Sequence, residues 1–398
     1  MDTLSSQGFR GNIPKLYVFR VLGDFMLWTP VIVLFFQENG LNLTQVLLLQ
    51  SLYSISQIVL EIPSGYLADR KGRRISLIAG AVFGALGMSV YALGSGFWEF
   101  LLGELVMSVA GALQSGSASA LAFDSLKQDS REDEFTKIKG RMKSSQLISG
   151  AAASLVGGLV AEQGLRLTIW YSIPPLVLMV PLALSLRETG LHEKSVRPGY
   201  ADDLRRVANT VLRNKPDLRY VILFSAFVGT STHVAYFLYQ PYMREVGTPL
   251  AWFGAIIAGA RLLTAAISSS AHRIEDKVGM GNSLKLVVVT AVLGFALLGS
   301  LPSRYAFAFI ALHQLVQGLM GPVISDYVNQ LTDSADRATV LSIKNLVKRV
   351  VYSLTIPLIG RAADLIGTVQ TMTLIAAALS AAALPLYLLL DRHGVVGS

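Results

Sequence analysis

The sequence predicts an all-α membrane protein with twelve transmembrane helices in two pseudo-symmetric six-helix bundles. Three observations lead to that prediction. The chain of 398 residues is 52% hydrophobic and only 15% charged, whereas a soluble domain usually carries about 25% charged residues. Apolar runs of roughly 20 residues, long enough to cross a hydrocarbon core, recur along the whole chain. Short motifs of the first half recur in the second half at a nearly constant offset.

The apolar runs form two sets of six around a polar stretch. The first set comprises approximately 15–38, 45–67, 75–97, 98–124, 140–163 and 167–187. The second set comprises approximately 217–243, 249–272, 283–301, 304–330, 338–363 and 368–391. We therefore expect an N-terminal six-helix bundle over 1–187, a cytoplasmic linker over 188–216 and a C-terminal six-helix bundle over 217–398.

Positive charge is concentrated in alternate loops, which predicts the orientation of the chain. The loop after the second run is rich in lysine and arginine at 70–74, as are the loop after the fourth run and the polar stretch. The opposite loops contribute little beyond Arg166, Arg244 and Arg304. The positive-inside rule therefore places both termini in the cytoplasm of a multi-pass protein of the cell inner membrane. These loops account for the net charge of +8, so we expect a lipid bilayer and no nucleic acid as partner, and a monomer.

An internal repeat relates the two halves. Gly158-Leu-Val-Ala-Glu162 matches Gly360-Arg-Ala-Ala-Asp364 at an offset of 202, which also places Asp124 on Asp326. Near the loop after the second run the offset is 207, where Asp69-Arg-Lys-Gly72 meets Asp276-Lys-Val-Gly279. The shared order of these motifs indicates that the two halves are copies of one unit.

The stretch Gly65-Tyr-Leu-Ala-Asp69-Arg-Lys-Gly72-Arg-Arg74 resembles the signature loop of the major facilitator superfamily. The Ser-, Ala- and Gly-rich run Gly150–Gly158 is similar to the antiporter signature of that family's drug–proton antiporters, without its proline. The resemblance implies twelve helices and a latch that closes the cytoplasmic side. The implied gate residues are Gly65, Asp69, Arg70, Gly72, Arg73 and Asp124. We expect Asp69 to favour the positive end of a helix dipole, and Arg73 to pair with Asp69 and Asp124.

Ionisable residues inside apolar runs are the candidate functional groups, because each needs a partner or a water-filled cavity. Seven such residues are Arg20, Asp24, Glu61, Glu104, His233, Arg261 and His313. Asp24 and Glu61 are candidate proton carriers, with Arg20 as their charge partner and Arg261 as partner or clamp for an anionic substrate. The alternative is a structural ion pair of Arg20 with Glu61 or Asp24, and for the histidines a packing role.

Glu104 differs from the family, in which drug–proton antiporters often have an arginine at the corresponding place. Either the proton relay is arranged differently here, or Glu104 attracts a cationic substrate group. Further candidates for substrate binding are aromatic and amide side chains, since apolar pockets with a few polar groups suit amphiphilic ligands. These are Trp28, Gln114, Tyr236, Tyr239, Gln314 and Gln317.

The motifs of common enzyme and metal sites are missing from the sequence: it has no cysteine, no His-Glu-x-x-His, no phosphate-binding loop and no dinucleotide-binding loop. We therefore expect no enzyme, no cofactor and no metal site. The sequence predicts a secondary active transporter working by alternating access, with small-molecule substrate and protons as partners. Export of a small organic amphiphile or drug-like molecule in exchange for protons is the first expectation. The alternatives are proton-coupled uptake of an anionic metabolite or nutrient, and a non-transporting membrane sensor or lipid-binding scaffold.

Overall fold

The structure is a computed structural model that describes residues 11–190, 209, 215–333 and 336–392. All regular secondary structure in these ranges is helical. Most of the predicted linker, as well as both chain termini, lies outside the described residues.

The described part of the first half of the chain forms nine α-helices. They are α1 (Asn12–Asp24), α2 (Ile32–Glu38), α3 (Leu43–Lys71), α4 (Arg73–Leu93), α5 (Phe97–Gln114), α6 (Ser117–Gln128), α7 (Phe135–Ala161), α8 (Leu165–Trp170) and α9 (Ile173–Leu184). A 3₁₀ turn at Glu132–Glu134 precedes α7. Three of the six predicted runs are therefore each divided into two helices, at 25–31, at Ser115–Gly116 and at Tyr171–Ser172. The last division precedes two prolines in the first turn of α9, where proline is well tolerated.

Over 215–333 and 336–392 the second half forms six longer helices. They are α10 (Pro216–Glu245), α11 (Leu250–Val278), α12 (Met280–Ser300), α13 (Ile310–Leu331), α14 (Arg337–Ile366) and α15 (Thr368–Arg392). A 3₁₀ turn at Ala306–Phe309 precedes α13. Each of these six predicted runs corresponds to one helix.

Ten helical segments of the described residues are long and apolar enough to cross a membrane. Two of the twelve predicted runs are not among them. The first run is divided between α1 and α2, and α14 is long but carries several charged side chains. The fold is thus that of a multi-pass membrane protein, and the count of twelve stays a prediction.

Contacts group the chain into two compact units. The first unit comprises Met1–Leu41 and Leu52–Arg197, and the second comprises Asn42–Ser51 and Pro198–Ser398. In the first unit an aromatic cluster of Phe35, Phe36, Tyr91 and Phe100 is fully or almost fully buried.

The start of α3 belongs to the second unit, because residues of α14 form hydrogen bonds with it. The Asp364 carboxylate accepts hydrogen bonds from the backbone N–H groups of Leu43 (2.9 Å) and Thr44 (2.8 Å). Further along, the Ser51 hydroxyl donates to the carbonyl oxygen of Ser353 at 2.7 Å. A carboxylate at a helix N-terminus binds free N–H groups and favours the positive end of the dipole.

The backbone carries the predicted repeat. Helices α4 and α12 each have 21 residues, and their first residues, Arg73 and Met280, are 207 positions apart. Each follows a glycine with positive φ, Gly72 at 107° and Gly279 at 81°, a region that residues with a Cβ rarely adopt. The offset of 207 therefore relates structurally equivalent positions at the N-terminal ends of these helices.

Candidate functional site

Asp24 ends α1, and its carboxylate is held by an amide of α7. The Gln146 Nε2 atom donates to Asp24 Oδ2 at 2.6 Å, and the Ser149 hydroxyl donates to the carbonyl oxygen of Val21 at 2.7 Å. Arg20 lies one turn before Asp24 and is close enough for the two charges to interact. The predicted proximity of Arg20 and Asp24 is therefore present, and Gln146 is a partner that the sequence analysis did not identify.

Glu61 lies on α3 away from this group. Its side chain is exposed, and the nearby Ser64 hydroxyl donates to its main-chain oxygen, at 3.1 Å. Among the described residues, no ion pair joins Glu61 to Arg20. The structural Arg20–Glu61 pair is thus wrong for this structure, because the two side chains do not meet, and the proton-carrying role of Glu61 stays a prediction.

Glu104 is buried in α5 with 4% of its surface exposed. Its carboxylate accepts a hydrogen bond from the hydroxyl of Tyr91, and Tyr53 lies close enough to interact with that Tyr91 hydroxyl. Burial of a carboxylate is costly unless it is hydrogen-bonded, and the phenol of Tyr91 supplies a neutral donor. The arginine of drug–proton antiporters is therefore replaced here by an acid beside tyrosines.

The predicted gate loop contains the expected ion pair at its centre. Arg73 binds the Asp124 carboxylate and donates to the carbonyl oxygen of Ala120 at 2.9 Å. The Thr189 hydroxyl adds a longer contact of 3.4 Å to Asp124, which is 6% exposed. The Arg73–Asp124 pairing predicted from the sequence is confirmed, whereas Arg73 makes no ion pair with Asp69.

The other gate candidates have simpler surroundings. Arg70 donates to the Tyr66 hydroxyl at 2.7 Å, and Asp69 is half-buried. No atom of the first unit lies within 4 Å of a Cβ built at Gly65, so the close approach expected there is not formed within that unit. Their gating role stays a prediction.

Two candidates of the second unit lie in its core. The Tyr239 hydroxyl and His313 Nδ1 are 2.8 Å apart, and the His313 ring lies 4.2 Å from that of Phe295. Both side chains are at most 1% exposed. This is the packing role considered for the histidines, and the geometry gives no support for contact with substrate.

The remaining aromatic and amide candidates make local contacts. Gln314 accepts a hydrogen bond of 2.8 Å from the Thr264 hydroxyl, and Gln317 makes a long contact of 3.5 Å to the Thr232 carbonyl oxygen. In the first unit the Trp28 indole N–H points to the Met26 sulfur at 3.2 Å. Gln114 packs against Gly80.

Tyr236 and Arg261 are a second pair of predicted substrate residues of the second unit that contact each other. The hydrogen bond between their side chains joins α10 to α11, and both side chains are half-buried. A guanidinium has five N–H donors, which is more than one phenol oxygen can accept.

A cationic group on α14 was missed by the sequence analysis. Lys344 and Lys348 are four residues apart and share one helix face, and both are half-buried. The Lys348 side chain lies against Gly229, with its Cε 3.1 Å from a Cβ built there. His233 lies beside Lys348, and its ring is 5.1 Å from that of Tyr352. We call Lys344, Lys348 and His233 the cationic face.

The two lysines have no acidic partner among the described residues. Both lie inside the eleventh apolar run, 338–363, so the same criterion that selected Arg20 and Arg261 from the sequence could have found them. His233, which the sequence did identify, is exposed and lies on the same surface.

Comparison with known proteins identifies the family. The family model described as Major Facilitator Superfamily matches residues 16–355. The chain belongs to the major facilitator superfamily. The family and the fold are those of membrane transporters, which bind small molecules, so the chain is a transporter of this superfamily.

Among its relatives is the MFS-type transporter YxaM of Bacillus subtilis strain 168, 20% identical over 336 residues that cover 80% of each chain. The multidrug resistance protein MdtG of Citrobacter koseri is 26% identical over 280 residues, covering 68% of this chain and 67% of that protein. The crystal structure of the nucleoside transporter NupG superposes with a TM-score of 0.79 at 14% identity, covering 96% of this chain and 98% of that one. The structural likeness shows the fold alone.

Proposed function

We propose that this transporter works by alternating access and exports a small organic anion with an apolar part in exchange for protons. The observation that carries the proposal is the cationic face of the second unit. Two lysines in a helix of a membrane protein lack an acidic partner among the described residues, and an anionic group of a substrate would supply one.

The energetic argument rests on the cost of isolated charge. A lysine at the centre of a membrane helix costs at least about 2.5–3.5 kcal/mol. Lys344 and Lys348 also repel each other, since they are four residues apart on one face. A structural role would be better served by one lysine beside a carboxylate. Two ammonium groups without an acidic partner among the described residues favour a carboxylate, sulfonate or phosphonate of a substrate that binds and then dissociates.

The surroundings of the lysines suit the apolar part of such a molecule. The rings of His233 and Tyr352 pack edge to face, with 5.1 Å between centroids. Tyr236 and Arg261 provide a further aromatic and cationic pair within the second unit. Apolar walls with a few placed polar groups are typical of small-molecule sites.

Proton coupling is assigned to acidic groups of the first unit. Asp24 is the first choice, because the hydrogen bond from Gln146 (2.6 Å) and the nearby Arg20 would respond to its protonation. Glu61 and Glu104 are further candidates, one exposed and one buried beside Tyr91. The gate proposed at Gly65–Arg74 would be held by the Arg73–Asp124 pair.

Two arguments support export. The relative MdtG is named a multidrug resistance protein. In a membrane whose interior is negative, outward movement of one negative charge is favoured by about 2.3 kcal/mol per 100 mV. We place the protein in the cell inner membrane with both termini cytoplasmic, as the loop charges suggest.

The test is a flux assay in proteoliposomes with the pH gradient and the membrane potential imposed separately. Matched aromatic carboxylates, amides and amines of one size are offered as solutes. We expect the carboxylates to move against their gradient when protons move in the opposite direction, and Lys348→Met to abolish that selectivity. Lys285→Met, at an exposed position of α12, is the matched control. Equal flux of all three solute classes, unchanged in Lys348→Met, would contradict the proposal.

The second candidate is proton-coupled uptake of an anionic metabolite, which the same cationic face favours. In the assay above it would appear as anion flux in the same direction as the protons. The sensor or scaffold alternative would gain if no solute moved under any gradient.

A further inference from the structure

A pair of acidic side chains lies at the inner ends of α11 and α13 in the second unit. The carboxyl groups of Glu275 and Asp326 are within hydrogen-bonding reach of each other. Glu275 is 9% exposed, and Asp326 is half-buried. Neither residue has a part in the site proposed above.

Independent contacts along the same two helices support this placement. The Thr264 hydroxyl donates to Gln314 at 2.8 Å, and a Cβ built at Gly318 would meet the side chain of Ile267 at 2.6 Å. These contacts join residues about 50 positions apart, and Glu275 and Asp326 continue the same register. The acid pair is therefore a consequence of how α11 packs on α13.

Without a bound proton, the carboxylate oxygens of Glu275 lack a hydrogen-bond donor among the described residues. Both carboxylate oxygens of Glu275 are buried and receive no hydrogen bond from the described residues. A second carboxylate can supply a donor only when it is protonated. The hydroxyl of Tyr327, in a side chain that is 2% exposed, also lacks a partner, and it lies close enough to interact with Glu275.

The other charged groups near the pair do not neutralise it. His272 and Asp276 of α11 interact with Glu275, but they form a long contact of 3.8 Å with each other and are both exposed. Tyr387 of α15 interacts with Tyr327. Lys285 of α12 and Arg273 of α11 are exposed and are not among the groups that act on Glu275.

We propose that Glu275 and Asp326 form a binding site for one proton, which the two carboxylates share. Two carboxylates in contact cannot both be ionised without a large repulsion, so one shared proton is the state of lowest energy. The bound proton turns a repulsive contact into a hydrogen bond that holds the inner ends of α11 and α13 together. This site is separate from the proposed proton carriers of the first unit and does not depend on their role.

Infrared spectroscopy of the full-length protein in liposomes tests the proposal without measuring transport. A protonated carboxyl group has a C=O band distinct from that of a carboxylate, and the band is followed as the pH is raised. We expect the wild type to lose a band equivalent to one carboxyl group per chain, and Glu275→Gln and Asp326→Asn each to lack it. Asp276→Asn, one residue away and exposed, should retain the band.

The variants should fold, because an amide mimics a protonated acid and can donate to the remaining carboxylate; circular dichroism checks this. A band that persists in both Glu275→Gln and Asp326→Asn overturns the proposal. Binding of sodium or calcium ions, each added as the only ligand and measured by calorimetry, provides a second test. Stoichiometric binding of either ion that Glu275→Gln abolishes would make this a metal-cation site and also overturn it. Either result leaves the flux assay for anion export unaffected.

Discussion

The two units differ in the charge pairs found at their candidate sites. In the first unit Arg73 pairs with Asp124, and Arg20 lies near Asp24. In the second unit two pairs of like charge lie side by side, Lys344 with Lys348 on α14 and Glu275 with Asp326 near the C-terminal ends of α11 and α13. A pair of opposite charges is satisfied within the protein. A pair of like charges repel each other, and a bound ligand of opposite charge would reduce that repulsion.

The difference in charge pairing is clearest at positions of the two units that the internal repeat makes equivalent. Asp124 and Asp326 are equivalent at an offset of 202, and Arg73 corresponds to Met280 at 207. At the same offset Glu275 corresponds to Ala68, which is buried beside the first-unit loop. In the first unit the aspartate Asp124 thus lies beside a cation, and in the second unit its equivalent Asp326 lies beside a second acid. The repeat preserves helix lengths and the glycines that precede them, while the charges have diverged.

The largest effect is expected from removing the cation of the first-unit pair. Arg73→Gln leaves the buried Asp124 carboxylate without a charge partner, which costs about 3 kcal/mol of stability, the lower end for breaking a buried pair. Chemical denaturation of the purified protein in micelles measures this loss. The double variant Arg73→Gln with Asp124→Asn should recover part of it. Full additivity of the two single changes would show that the pair contributes no coupling.

Substitution of one lysine of the cationic face should affect the ligand more than the fold. Lys348→Met removes one unpaired charge, so stability should stay the same or rise, while affinity for an anionic solute falls about tenfold, or 1.4 kcal/mol. Binding is measured by calorimetry or by the flux assay at varied solute concentration. A loss of stability without a loss of affinity would mean that Lys348 has a structural partner, and the contrast between the units would weaken.

Much of the fold was predictable because it depends on local pattern. The apolar runs, the signature loop and the Arg73–Asp124 pair follow from composition, spacing and a recognised motif. The contacts that join distant segments were not predictable in the same way. Gln146 binds Asp24 across 122 residues of sequence, and nothing in its own run distinguishes it from an amide that faces lipid.

The acid pair shows the limit of the repeat as a guide. The offset of 202 makes Asp326 equivalent to Asp124. Asp124 has an arginine as its neighbour, whereas Asp326 has a glutamate. Only the packing of α11 on α13 shows that Asp326 contacts Glu275. The divisions in the first, fourth and sixth runs were likewise hidden, since residues 25–31 are as apolar as a continuous helix. Lys344 and Lys348 were visible in the sequence and were overlooked.

The pH dependence of stability should separate the two copies. If the second unit holds a shared proton that the unfolded chain has released at neutral pH, the folded state loses stability as the pH rises. Glu275→Gln should flatten this slope, with a change at neutral pH of about 1 kcal/mol or less, the scale of one hydrogen bond. Asp69→Asn, in the equivalent first-unit loop, should leave the slope unchanged. Denaturation at a series of pH values measures both.

The smallest change in stability is expected at a second pair of equivalent acids, Asp364 and Glu162, which the offset of 202 relates. Asp364 binds the N–H groups of Leu43 and Thr44 at the start of α3, whereas its equivalent Glu162 is exposed and makes no hydrogen bond with a described residue. Asp364→Asn keeps one acceptor oxygen but loses the charge at the helix terminus, which should cost about 0.5–1 kcal/mol.

Hydrogen exchange is the direct measurement for this change, because the two amides that Asp364 binds should exchange several-fold faster in Asp364→Asn. Glu162→Gln is the matched control and should change neither exchange nor melting. Equal effects of the two substitutions would mean that the charge acts through the general field of the membrane surface rather than on this helix end. Faster exchange confined to Leu43 and Thr44 would show that a single carboxylate fixes the start of α3 on the second unit.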